Sequence, residues 1–104
     1  MTPLGEFEML VLLAVMQLGD DAYAPAVRSE IERRAERAVA RGAIYVTLDR
    51  LEGKRLLASR LGGDGAGRSR RYYRVSTQGL RAVRRALAAV GRMTTGLEPL
   101  LDRT

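Results

Sequence analysis

The chain has 104 residues, 46% of them hydrophobic, which suits one domain with a modest core. Its net charge of +6 is uneven: residues 1–40 hold four Arg against seven acids, residues 41–85 hold twelve Lys/Arg against three acids, and residues 86–104 hold two of each. Cys and His are both absent, which excludes a disulfide framework, thiolate metal sites and the commonest general base and metal ligand.

A positive field concentrated in mid-chain fits a polyanion. The plainer reading is that Arg, 17 of the 18 basic residues, merely solubilises the chain. An acidic membrane fits less well, because a lipid-surface helix needs its basic residues beside a broad apolar face. Glu6 and Glu8 precede the first apolar run, unlike the basic start of a signal peptide. The run Met9–Met16 is too short to span a bilayer, so a cytoplasmic protein is expected.

Leu4 to Leu18 reads as a helix, with Leu4, Phe7, Val11, Ala14, Val15 and Leu18 at three- and four-residue spacing. Met9, Leu12, Leu13 and Met16 form a second apolar stripe, so this helix is either a central core helix or also packs on a second subunit through Leu12 and Met16. After the turn at Gly19-Asp20-Asp21, a second helix is expected from Ala24-Pro25, with Val27, Ile31 and Ala35 facing inward. A third runs from about Ala43 to Leu51 or beyond, with Ile44, Leu48 and Leu51 as its core face. At about 100° per residue, Val46, Asp49 and Arg50 then point outward, with Tyr45 and Thr47 on the flanks. Three short helices joined by tight turns suggest a helix-turn-helix.

Leu56–Leu61 and Arg70–Val75 read as two strands joined by a Gly-rich tip, Gly62 to Gly67, that is not expected to continue either strand. Ser76 suits the cap of a last helix. Leu80, Val83, Leu87, Val90, Thr94 and Leu97 make a heptad-like seam on that helix, with Pro99 beyond its end. Such a seam packs on another subunit or folds back over the first helix. The fold expected is mainly α with a small β-hairpin: a winged helix-turn-helix over residues 1–76, then a C-terminal dimerisation helix and tail over 77–104. The expected dimer interface is Leu12, Met16, Leu80, Val83, Leu87, Val90 and Leu97.

Two constellations carry chemistry. Arg68, Arg70 and Arg71 on the hairpin are suited to phosphates or a minor groove. Arg41, Tyr45, Val46, Thr47 and Arg50 on the third helix are suited to base edges, through bidentate Arg on guanine and through Thr or Val on a thymine methyl. Tyr45 could equally cover the core edge, and Arg81, Arg84 and Arg85 read as solubilising. The carboxylates are scattered along helical charge patterns. The glycines lack the Gly-Lys-Ser/Thr of a P-loop, and Ser69 has no His partner, so neither a catalytic site nor a cofactor or metal site is expected. RNA binding is disfavoured by the few aromatics suited to base stacking. The rival class is a winged-helix interaction or adaptor module without DNA.

The ordered set Gly42-Ala43-Ile44-Tyr45, Leu48-Asp49-Arg50-Leu51-Glu52, Gly67-Arg68-Ser69-Arg70-Arg71-Tyr72-Tyr73-Arg74-Val75-Ser76 and Gly79 resembles the PadR family of bacterial transcriptional regulators, in its short form with a single C-terminal helix. The resemblance extends from about Leu4 to Val90. It implies a homodimer on a palindromic operator in double-stranded DNA, usually a repressor, with the third helix in the major groove and the hairpin on flanking backbone or minor groove. It leaves room for a small-molecule effector of unknown chemistry, although the absence of Trp argues against a drug-stacking pocket like that of some relatives. Ala24 stands where the family often has Gly. Ala40 stands where a Ser commonly caps the third helix, so that cap must come from elsewhere or be absent.

Overall fold

The computed structural model describes residues 3–63, 67 and 69–103. In chain order it has α1 (Glu6–Leu18), a 3-10 turn (Gly19–Asp21), α2 (Ala24–Ala35), α3 (Arg41–Gly53), β1 (Leu57–Gly63), β2 (Ser69–Val75), α4 (Thr77–Thr94) and a short α5 (Glu98–Leu101). The fold is mainly helical with one antiparallel hairpin, followed by a C-terminal helix.

α1 is the central element. It packs against α2, α3, β2 and α4, and Val11, Leu12, Ala14 and Val15 are all buried. Both of its apolar stripes are therefore largely used within one chain. Leu12 is fully enclosed and has no surface left for a second subunit, which corrects its expected place in a dimer interface. Met16, one turn on, is exposed. At the start of α1, Glu8 accepts from the Gly5 backbone N–H at 2.9 Å, the half of a capping box that a glycine N-cap permits. Its other oxygen accepts from Lys54 Nζ at 2.7 Å, tying α1 to the end of α3.

α2 starts at Ala24 with Pro25 in its first turn, as expected. Val27 and Ile31 are buried, whereas Ala35 is exposed because α2 ends there. Glu36 follows with left-handed backbone (φ 52°, ψ 46°). α3 buries Ile44, Thr47, Leu48 and Leu51.

The strands run further than expected. Gly62 pairs with Arg70 and Gly63 with Ser69, so two glycines assigned to the tip belong to the ladder. A Cβ on Gly62 would lie 2.9 Å from the Tyr72 ring, so this glycine makes room for a neighbouring aromatic face. A third backbone segment joins the sheet where the Tyr73 N–H donates to the Ala22 carbonyl at 2.8 Å.

Ser76 caps α4: its Oγ accepts from the Gly79 N–H at 3.0 Å and donates to the Arg55 carbonyl at 2.7 Å. Gly79 is pressed so close to the strand entrance that a Cβ would meet the Leu56 carbonyl oxygen at 2.2 Å. Val83 belongs to this chain's own core, which corrects its assignment to an intersubunit seam. Beyond Val83 no described residue of α4 is buried, and Leu80, Leu87, Val90 and Met93 are exposed. Leu97 also departs from expectation. α4 ends at Thr94, Gly96 takes a positive φ of 86°, and Leu97 is the N-cap of α5. Pro99 lies beyond the end of α4, as read from the sequence.

Candidate nucleic-acid interface

α3 presents one face to the core and the other to solvent. Tyr45 is 48% and Val46 56% exposed, Arg41 and Arg50 are exposed, and Thr47 is only 4% exposed. Thr47 therefore cannot reach a base edge, contrary to expectation. It lies three residues after Ile44 and four before Leu51, so helical geometry places it within the inward stripe. The outward set is Arg41, Tyr45, Val46 and Arg50. Asp49 shares that face and is exposed.

Strand alternation divides the hairpin into two faces. Ser59, Leu61, Arg71 and Tyr73 share one; Arg60, Arg70 and Tyr72 share the other. On the first face, Arg71 Nη1 donates to Ser59 Oγ at 2.9 Å, and Ser59 donates in turn to Glu52 Oε2 at 2.5 Å. Arg71 is thus anchored to the last turns of α3. The Tyr73 phenol is pushed above its ordinary pKa by burial, with the carboxylates of Asp49 and Glu52 adding to the effect. This face of the hairpin therefore adjoins α3.

On the second face, the Arg60 guanidinium lies 4.8 Å from the centre of the Tyr72 ring. Arg70 lies 4.5 Å over Tyr23, and the Tyr23 and Tyr72 rings meet edge to face at 5.9 Å. The four side chains form a stack along this face of the hairpin. The sequence reading selected Arg70 but missed Arg60 and both tyrosines. The missed signal was register: an Arg two residues before Gly62 falls opposite Tyr72 once the glycines are counted as strand. Arg68 lies outside the described residues. Among the described residues, no cluster of three or more acidic groups is arranged to hold a metal, and no helix is long and apolar enough to cross a membrane.

The family model of the Transcriptional regulator PadR-like family matches residues 12–85, from mid-α1 into α4. The chain belongs to the PadR-like family of transcriptional regulators. Solved structures agree in fold. A PadR family transcription regulator from Clostridium difficile R20291 superposes with TM-score 0.75 at 21% identity, covering 93% of this chain and 99% of that one. A PadR family regulator from Eggerthella lenta DSM 2243 gives TM-score 0.69 at 29% identity, covering 95% and 88%. F93 from STIV, described as a winged-helix DNA-binding protein, gives TM-score 0.75 at 15% identity, covering 91% and 98%. No match is found among curated proteins. Within the PadR frame, α2 and α3 form the helix-turn-helix and β1–β2 the wing.

Proposed function

We propose that this PadR-family chain is a sequence-specific DNA-binding regulator that represses as a homodimer on a palindromic operator. The observation that carries the reading is the outward face of α3, with Arg41, Tyr45, Val46 and Arg50 set beside an arginine-bearing wing. In this reading α3 enters the major groove, where Arg50 and Arg41 read base edges and Val46 and Tyr45 make apolar contacts. Arg68, Arg70 and Arg71 neutralise phosphate, and Arg60 joins them on the wing.

The dimer reading rests on the exposed apolar residues of α4. Leu80, Leu87 and Val90 are exposed along it, with Leu97 after it and Met16 exposed on α1. The radius of gyration is 15.4 Å, whereas a compact chain of this length is expected near ~13 Å. A helix that projects with an apolar stripe is stabilised by a second copy. Two copies then place two α3 helices about one turn of DNA apart, roughly 34 Å.

The test is a mobility-shift titration over a salt series. Replacing Arg68, Arg70 and Arg71 by Ala lowers affinity and flattens the dependence of log K on log salt, by about 0.9 for each phosphate no longer neutralised. An unchanged slope contradicts the phosphate role of the wing. Replacing Arg50 alters which operator is preferred, and an unchanged preference contradicts base reading by α3.

A further inference from the structure

The turn that delivers α3 lacks the usual helix cap. Ala40 holds the N-cap position with the extended backbone that a cap requires (φ −67°, ψ 137°), but its methyl group accepts no hydrogen bond. The residue before it, Val39, is 5% exposed, so its peptide groups need protein partners. Both come from one face of α2. Arg28 Nε donates to the Val39 carbonyl at 2.8 Å. Glu32 Oε2 accepts from the Val39 N–H at 3.0 Å. The two side chains are one helical turn apart and 3.8 Å from each other, so they hold the Val39 backbone as a neighbouring strand would.

The other end of the turn is held separately. Arg37 donates to Glu6 at 2.8 Å and lies over the Phe7 ring. The Val39 end leads directly into Arg41. Arg28 and Glu32 also line a shallow cleft with Arg41 and Tyr45, two of the residues proposed to touch DNA. A carboxylate there repels phosphate, so its value lies in what it holds.

We propose that Arg28 and Glu32 are positioning residues that clamp the Val39 peptide groups ahead of the uncapped start of α3 and fix the angle at which Arg41, Tyr45, Val46 and Arg50 meet DNA. The proposal rests on the reading of α3 as the base-reading helix. It separates Glu32 from an ordinary surface ion pair, because the functional bond runs to a backbone N–H that a neutral amide satisfies equally well.

The test compares Glu32→Gln with Glu32→Ala. Both remove the same charge, but only Gln keeps an acceptor for Val39. The readout is the ratio of affinity for the selected operator to affinity for random DNA at one salt concentration. Glu32→Gln keeps the ratio within about twofold, and Glu32→Ala lowers it about fivefold or more with the salt slope unchanged. Arg28→Leu, which removes the donor but keeps the apolar stem, reproduces the loss and serves where Glu32→Ala does not fold. Equal ratios for the Gln and Ala variants overturn the proposal. A wild-type chain that prefers no DNA sequence overturns the underlying reading of α3 instead, and that result is seen before any variant is made.

Discussion

Thr47 and Val46 are adjacent in sequence and opposite in role. Val46 projects from α3, whereas Thr47 completes the inward stripe of Ile44, Leu48 and Leu51. Thr47→Ala is therefore expected to lower stability by about 1 kcal/mol and leave operator preference unchanged, as thermal melts and competition binding would report. The sequence marks the stripe by its large aliphatics, so a small polar residue between them reads as a flank. Leu12 escapes for the opposite reason. Periodicity identifies an apolar face but not what covers it, and α1 is covered on both sides by its own chain. Glu8 is a residue-scale lock of another kind. Burial alone raises its pKa, but the Lys54 ammonium, the Gly5 N–H and the nearby Arg50 together leave it below 4.5. A depressed carboxylate contributes stability above its unfolded pKa and loses it as pH falls through the folded value. Glu8→Gln should thus cost about 1–2 kcal/mol at neutral pH, and the gap from wild type should close below pH 4.5 in denaturant titrations.

At the scale of elements, helix starts were legible because their chemistry is local. Pro25 and Ser76 mark the starts of α2 and α4 by side-chain properties alone. The C-terminal side was less legible. Gly96 and the turn after Thr94 interrupt a seam that spacing alone extends to Leu97. The wing is longer than its glycines suggest, because Gly62 serves not a turn but a ring that only the paired register brings close. The join between wing and α4 is sterically tight. Gly79→Ala drives a methyl group into the Leu56 carbonyl and should cost about 3 kcal/mol or more, measured by chemical denaturation. Arg55, between α3 and β1, adopts left-handed backbone at φ 64°. Arg55→Gly relieves that conformation and should stabilise the fold by about 0.5–1 kcal/mol, since the Arg55 carbonyl still accepts from Ser76. On α4, Leu87→Asp places a charge in the proposed seam. It should convert dimer to monomer in analytical ultracentrifugation while leaving helix content unchanged, because Leu87 is exposed within one chain.

At the scale of the molecule, the charge pattern and the fold agree. The excess of nine positive charges over residues 41–85 falls on α3, the wing and the start of α4, while the acidic first forty residues build the central helix and α2. That division was visible in the sequence, as were the order of elements and the family. What sequence could not supply was which cations are held and by what: Arg71 by Ser59, itself bonded to Glu52; Arg60 and Arg70 by tyrosine rings; and the entrance to α3 by Arg28 and Glu32. Each of these depends on packing between separate elements, which spacing along one element does not reveal. The central claim, that two copies of α3 read a symmetric DNA site, is tested most directly by selection from a random double-stranded DNA pool. The prediction is enrichment of an inverted repeat with half-site centres about 10 base pairs apart, bound by two chains. Binding without any enriched sequence would contradict it, and no binding at low salt would contradict it and favour an interaction module without DNA.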